Sequence, residues 1–210
     1  MCGGSRTSLP VRRVVPNPGT LDHMSDELWL VRHGPTEWSE NGRHTSSTDL
    51  PLLPEGEKKA IALRQRLDDV EFRQVLTSPL IRARRTAELA GHEDAEVEPA
   101  LAEWNYGEYE GLTTPQIQQS VPHWSVWTHS CPGGENADQV GARLDKVVQR
   151  ARVCGDQRTL AFAHGHSLRV LAARWLGLPA TEGRLLRLDT ATISVLGYEH
   201  ARPVILRWNC

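Results

Sequence analysis

The chain has 210 residues, with Lys plus Arg at 24, Asp plus Glu at 26 and a formal net charge of −2; 39% of it is apolar. That length and mixture suit one globular domain with a sizeable core and exclude a disordered or fibrous chain. No apolar run reaches the roughly 18 residues a membrane-spanning helix needs, and the charge balance leaves no electrostatic footprint for nucleic acid, so neither partner is expected.

Residues 1–25 mix Arg, Gly and Pro without apolar periodicity and read as a flexible N-terminal tail that lacks the apolar core of a secretory signal. Met24 is an alternative start, and residues 26–210 form the domain. Leu28-Trp29-Leu30-Val31 is a short apolar run, expected as a buried strand that turns at Gly34-Pro35. Pro54-Glu55 opens a helix with Ala60, Leu63 and Leu67 at helical spacing, and Val75-Leu76-Thr77 is a second strand. A helix then runs from Ile81 to about Leu89, stopped by Gly91, and residues 97–101 form a weaker extended segment. Residues 136–153 make a long amphipathic helix, whose stripe through Val140, Leu144, Val147 and Val148 is core. Residues 159–163 form a strand leading into Gly165, residues 167–176 a helix closed by Gly177 and Pro179, and residues 192–198 and 204–208 a closing hairpin. Strands alternating with helices give an α/β class, a three-layer αβα sandwich around a mostly parallel central sheet. Ligands of such sheets bind at the carboxyl ends of the strands.

The polar residues just past those ends are Arg32-His33-Gly34, then Ser78 and Arg82, then Glu103, then His164-Gly165-His166 with Arg169. Arginines and histidines converging on one rim suit a phosphoryl group, whose oxygens need donors above all. A pure anion pocket gains nothing from Glu103, whereas phosphoryl transfer needs an acid for the departing alkoxide. A histidine with one ring nitrogen held by a hydrogen bond attacks phosphorus through the other, and His33 is suitably placed. No G-x-S-x-G, G-x-x-x-x-G-K-[ST] or G-x-G-x-x-G is present, which removes the serine-hydrolase, nucleotide-kinase and dinucleotide readings.

Leu30-Val31-Arg32-His33-Gly34-Pro35-Thr36 resembles the L-V-R-H-G-x-T signature of the histidine phosphatase superfamily, phosphoglycerate mutase-like branch. Residues 78–87 resemble its S-x-L-x-R-A-x-x-T-A block and residues 101–111 its L-x-E-x-x-x-G-x-x-E-G block. Pro132-Gly133-Gly134-Glu135 and residues 164–169 match the remaining two, in the right order. The resemblance implies a phosphohistidine mechanism in which His33 attacks the phosphoryl group. Arg32, Arg82 and His164 hold its oxygens, while Glu103 protonates the leaving group and then activates water. Thr36 and the backbone around Gly165 line the same pocket, and Arg43 reaches the substrate or positions its loop. Ser39 stands where many relatives carry a phosphate-binding asparagine, so phosphate binding there is expected to be weaker or rearranged.

Between Gly111 and Pro132 the chain has no Lys or Arg, whereas mutases carry a longer basic insertion that closes over the intermediate. Hydrolysis of a small phosphate ester is therefore the expected reaction, with phosphoglycerate mutase activity and a catalytically weak phospho-ligand-binding module as the alternatives. Residues 38–52, with Trp124 and Trp127, resemble sedoheptulose-bisphosphatase-like and broad acid phosphatases, which favours a sugar phosphate. His164-Gly165-His166 lacks a third and fourth ligand, so no metal is expected and no cofactor is implied. The cysteines Cys2, Cys131, Cys154 and Cys210 form no C-x-x-C pair, which fits a reducing, cytoplasmic setting. Pairing into a homodimer is open, with the C-terminal hairpin or the tryptophan-rich segment as surfaces.

Overall fold

The structure is a computed structural model and describes residues 26–153 and 157–210; the expected tail, residues 1–25, lies outside the described residues, as do Cys2 and Cys154. Strands β1 (Glu27–Arg32), β2 (Gln74–Thr77), β3 (Glu96–Val97), β4 (Arg158–Ala163), β5 (Ile193–Glu199) and β6 (Arg202–Arg207) form one sheet in the order β3-β2-β4-β1-β5-β6. The four strands from β3 to β1 are parallel; β5 runs antiparallel to β1, and β6 to β5.

The three-layer arrangement follows from the two-residue period of the central strands. Leu28 and Leu30 of β1 and Ala161 and Ala163 of β4 point to one face, where they join Val140 and Leu144 of α5 (Ala137–Arg152) and Leu168 and Leu171 of α6 (Gly165–Trp175). Trp29 and Val31 of β1 and Leu160 and Phe162 of β4 point to the other, against Leu63 and Leu67 of α2 (Pro54–Leu67) and Ala87 of α3 (Ile81–Leu89). Strands buried on both faces have no polar side to show, which is why they read as unbroken apolar runs.

Three local features depart from the sequence reading. The extended segment at 97–101 is a strand only over Glu96–Val97, after which Pro99–Leu101 is a 3₁₀ turn. Pro99 has no N–H for a ladder, and the Glu98 side chain accepts the Ala100 N–H at 3.0 Å instead. Helix α6 starts two residues earlier than expected, at Gly165, because a carboxylate from another loop caps it. Two short helices, α1 (Glu37–Asn41) and α4 (Thr114–Ser120), were invisible to periodicity but carry capping boxes, Thr36 with Ser39 and Thr113 with Gln116. Trp124 and Trp127 are buried, whereas Leu206 of the β5–β6 hairpin is exposed. Among the described residues no helix is long and apolar enough to cross a membrane.

Candidate active site

Strand β1 ends at Arg32 and passes the chain to His33, whose backbone N–H donates to the Ala163 carbonyl of β4 at 3.0 Å. The His33 ring is buried with Nδ1 2.7 Å from the Gly34 carbonyl oxygen. A carbonyl only accepts, so Nδ1 carries the proton and Nε2 keeps its lone pair. Burial, then the charges of Arg82 and Arg32, drive this histidine well below its ordinary pKa. The ring is therefore neutral even in mildly acidic solution, the state a nitrogen nucleophile requires.

Arg82, in the first turn of α3, is almost completely buried. Its Nε donates to His164 Nδ1 at 3.1 Å, and its outer nitrogens donate to the carbonyls of Thr48 at 3.2 Å and Thr45 at 3.1 Å. A guanidinium has five N–H groups, so two are left for an anion in the cavity that Arg82 lines. Because Arg82 can only donate, His164 Nδ1 must accept; its Nε2–H then donates to Ser78 Oγ at 2.7 Å. Both ring nitrogens of His164 are thus engaged, and the ring is fully buried behind the cavity wall. His164 thus orients Arg82, and it packs edge-on against His33, with ring centres 5.2 Å apart.

The carbonyls that anchor Arg82 belong to a loop fastened from outside the cavity. Glu110 accepts the Ser46 N–H at 2.8 Å, the Ser46 hydroxyl at 2.6 Å and the Thr48 N–H at 3.0 Å. Burial pushes the Glu110 carboxyl up, but these donors outweigh it and leave the group below its ordinary value. Glu110→Gln puts an amide N–H₂ where a donor must be accepted, which loosens the loop and the Arg82 fork. The expected result is a rise in KM of about tenfold, corresponding to about 1.4 kcal/mol, with less loss in kcat. Unaltered steady-state constants would remove Glu110 from the support of Arg82.

Arg32 donates from Nη1 to the Leu188 carbonyl at 2.6 Å, while its buried Nε has no acceptor among the described residues. A Cβ at Gly165 would come within 3.3 Å of this guanidinium, so glycine allows the start of α6 to close on it. The same helix start holds Glu103. Its Oε1 accepts the N–H groups of Trp104 at 2.9 Å and Ser167 at 2.8 Å, and its Oε2 that of His166 at 3.0 Å, so the carboxylate caps α6. Arg143 of α5 braces the loop from behind, donating to the carbonyls of Ala100, Ala102 and Glu103 at 2.6, 2.8 and 3.1 Å and pairing with Glu135 at 2.8 Å. Glu135 Oε2 in turn accepts the Asn105 N–H at 2.8 Å. Gly107, at φ +52°, lets this loop meet the one at 132–134, since a Cβ there would lie 2.0 Å from the Pro132 carbonyl oxygen.

Arg32, His33, Thr36, Ser39, Arg43, Arg82, Glu103 and Gly165 all line one cavity of about 410 Å³ at the carboxyl edge of the sheet. Thr36 caps α1 by accepting the Ser39 N–H, and the Ser39 hydroxyl is spent on the Thr36 backbone, accepting its N–H and donating to its carbonyl, each at 2.9 Å. The exposed Arg43 lies over the Trp38 ring at 5.8 Å. His44, Tyr106, Trp124, Trp127 and His166 form an aromatic wall. Sequence reasoning gave His44 no role, although it lies in the 38–52 segment, and missed Arg143, which falls in no recognisable block.

Burial holds His33, His164 and His166 well below the ordinary histidine pKa of 6.5 and His44 at about 4. On unfolding these rings regain ordinary values, so below about pH 6.5 the unfolded chain binds more protons than the folded one. Stability is full above that pH and falls as pH drops towards the folded values, by up to about 1.4 kcal/mol per pH unit for each ring. Melting temperature should hold above about pH 7 and decline steeply below about 6.5, less steeply in His44→Gln. An equally steep decline in the variant would show that His44 contributes nothing to it.

A parallel sheet that gathers a neutral histidine between guanidinium groups at its carboxyl edge defines a protein that handles phosphoryl groups. The model of the histidine phosphatase superfamily (branch 1) matches residues 28–210, and the chain belongs to that family. The family together with its phosphatase relatives makes the chain a hydrolase of phosphate monoesters. It is 46% identical to an acid phosphatase of Mycobacterium tuberculosis over 82% of this chain and 87% of that protein. Sedoheptulose 1,7-bisphosphatase of Saccharomyces cerevisiae is 34% identical over 71% of this chain and 67% of its own. A solved structure of a Mycobacterium tuberculosis open reading frame superposes with a TM-score of 0.84 at 42% identity, covering 87% of this chain and 96% of the other.

Proposed function

We propose that the enzyme hydrolyses sugar phosphates and related small metabolites through a phosphohistidine at His33. His33 Nε2 attacks phosphorus, the P–O bond to the leaving group breaks, and Glu103 gives that oxygen its proton. Glu103 then takes a proton from water, whose oxygen attacks phosphorus and returns His33 to the neutral ring with release of inorganic phosphate. Arg32 and Arg82 neutralise the transferring group throughout; Thr36 and the first backbone N–H groups of α6 at Gly165 line its far side, Arg43 attends the leaving group, and His164 keeps Arg82 aimed. The single observation that carries this reading is the Nδ1–H bond from His33 to Gly34. It fixes the tautomer, and burial beside two cations keeps the ring neutral.

Hydrolysis is preferred to mutase chemistry because the segment between Gly111 and Pro132, part of which walls the cavity, contains no Lys or Arg to grip and retain a charged intermediate. The same reading takes the enzyme as cytoplasmic, in keeping with free thiols at Cys131 and Cys210, and takes the β5–β6 hairpin as the surface of a homodimer. The test is metal-free phosphate release from a panel of sugar phosphates, 3-phosphoglycerate and p-nitrophenyl phosphate. Release from a sugar phosphate well above the rest is expected. Isomerisation of 3-phosphoglycerate without release would overturn the reading in favour of a mutase.

A further inference from the structure

We propose that Asn209, just past β6, is a positioning residue for Arg32: its amide grips Asp189, and the loop so held presents the Leu188 carbonyl that aims the Arg32 guanidinium at the phosphoryl group. The proposal rests on the phosphatase reading above and adds to it the residues that set one of its two cations.

The two cations are held very differently. Arg82 is fixed by three contacts, to the His164 ring and to the carbonyls of Thr48 and Thr45. For the Arg32 guanidinium the anchor is the Leu188 carbonyl at 2.6 Å, and its buried Nε has no acceptor among the described residues. A guanidinium fork serves an anion only when its plane is fixed, so the aim of Arg32 depends on where that carbonyl sits. Leu188 belongs to residues 187–192, which lie in no helix or strand and lead into β5.

Asn209 supplies the order this segment lacks. Its Oδ1 accepts the Asp189 N–H at 2.6 Å, and its Nδ2 donates to the Asp189 carboxylate at 2.9 Å. One contact needs an acceptor and the other a donor, so the amide fits one way round and holds backbone and side chain together. Asn209 is itself fixed: its N–H donates to Ser194 Oγ at 2.9 Å, and the N–H groups of Ile193 and Cys210 donate to each other's carbonyls at 2.9 and 3.1 Å. Its backbone is left-handed, at φ +56°, a conformation asparagine tolerates better than most residues. Trp208 Nε1 donates to the Arg187 carbonyl, and the Thr192 hydroxyl donates to the Asp189 carbonyl at 2.8 Å. The carbonyls on either side of Leu188 are thereby engaged, and the one between them meets Arg32. The Ala191 N–H closes the loop on the same strand end, donating to the carbonyls of Arg32 and His33 at 3.0 and 3.2 Å. The Leu188 side chain is buried in the core. If that packing alone placed its carbonyl, loss of Asn209 would lower the melting temperature and leave phosphate affinity as it was.

Inorganic phosphate, used as a competitive inhibitor, reads the grip on the phosphoryl group with no leaving group present. Asn209→Gly removes the amide and keeps the left-handed backbone without strain. It should raise the Ki of phosphate and the KM of p-nitrophenyl phosphate and of a sugar phosphate by a common factor of about tenfold, with less loss in kcat. Asp189→Ala should do the same, and the double variant should do no more than either single one, because the two side chains act as one unit. Asp189→Asn, which can keep both contacts to Asn209, should recover most of the lost affinity. Ki and KM do not depend on the fraction of enzyme that is folded, so a general loss of active protein cannot imitate the effect. Should Asn209→Gly fail to fold, the two Asp189 variants decide the matter. A wild-type Ki in Asn209→Gly or Asp189→Ala, or losses that add in the double variant, overturns the positioning role and leaves the phosphatase intact. Absence of phosphate release from every ester by the wild type overturns the phosphatase reading instead, and calorimetric binding of inorganic phosphate then makes the same comparison between variants. A wild type that neither releases nor binds phosphate overturns both.

Discussion

His33→Ala is expected to lower kcat by at least about 10⁴-fold on every phosphate ester, because removing a nucleophile that forms a covalent intermediate abolishes the route rather than slowing one step of it. Wild-type enzyme quenched within milliseconds of mixing with ³²P-labelled substrate should yield acid-labile, alkali-stable labelled protein, and the variant none. Discrimination against the alternative in which water attacks directly is sharp, because a cavity that merely binds and polarises the ester would keep much of its rate without the ring. The pH dependence separates them further. His33 is held neutral by burial and by Arg82 and Arg32, so the acidic limb of kcat/KM should lie well below pH 6.5, the ordinary histidine value. A limb at that ordinary value would mean that the ring titrates as if exposed. A variant retaining a tenth of wild-type activity would remove His33 from the chemistry altogether.

The parallel sheet was legible because β1 and β4 are buried on both faces and leave unbroken apolar runs, Leu28 to Val31 and Leu160 to Ala163. Long helices with one apolar stripe were equally plain, and Asn136 with Gln139 marks the start of α5 as a reciprocal cap. The 3₁₀ turn at Pro99–Leu101 was not, since an alternation of Val97, Pro99 and Leu101 suits a strand until the missing N–H of proline is counted. The early start of α6 was hidden for a different reason. Its capping group is Glu103, more than sixty residues away in the chain, and only the tertiary fold brings it there.

Strand ends also gave the outline of the site, but not how its members hold one another. The family resemblance implies a phosphoryl contact for His164, and it does not announce the partners of the ring. Those contacts, 3.1 Å to Arg82 and 2.7 Å to Ser78, join residues more than eighty positions apart and arise only in the tertiary fold. Arg143 sits in an amphipathic helix among other polar residues, and nothing in its neighbours announces three backbone carbonyls waiting behind Glu103. Ser39 illustrates the limit from the other side: it stands where many relatives carry a phosphate-binding asparagine, and its hydroxyl closes the cap of α1.

Glu103→Gln should slow hydrolysis of an alkyl phosphate by about 10²–10⁴-fold, the usual worth of a positioned acid, and that of p-nitrophenyl phosphate by less than about tenfold, because that leaving group departs without a proton. The geometry makes this a test of proton transfer and not of binding. Glutamine can reproduce Oε1, its carbonyl oxygen accepting from Trp104 and Ser167 as the carboxylate does. Its amide nitrogen then faces the His166 N–H, donor against donor, across the 3.0 Å contact that Oε2 accepts. That conflict costs about 1–3 kcal/mol of stability, to be read as a lower melting temperature, while Arg143 and Glu135 keep the loop in place. A plot of log kcat/KM against leaving-group pKa should accordingly steepen in the variant, the two enzymes converging for the best leaving groups. Parallel lines, with the same loss for alkyl and nitrophenyl esters, would assign Glu103 to electrostatics or to the capping of α6 and would require another donor for the departing oxygen.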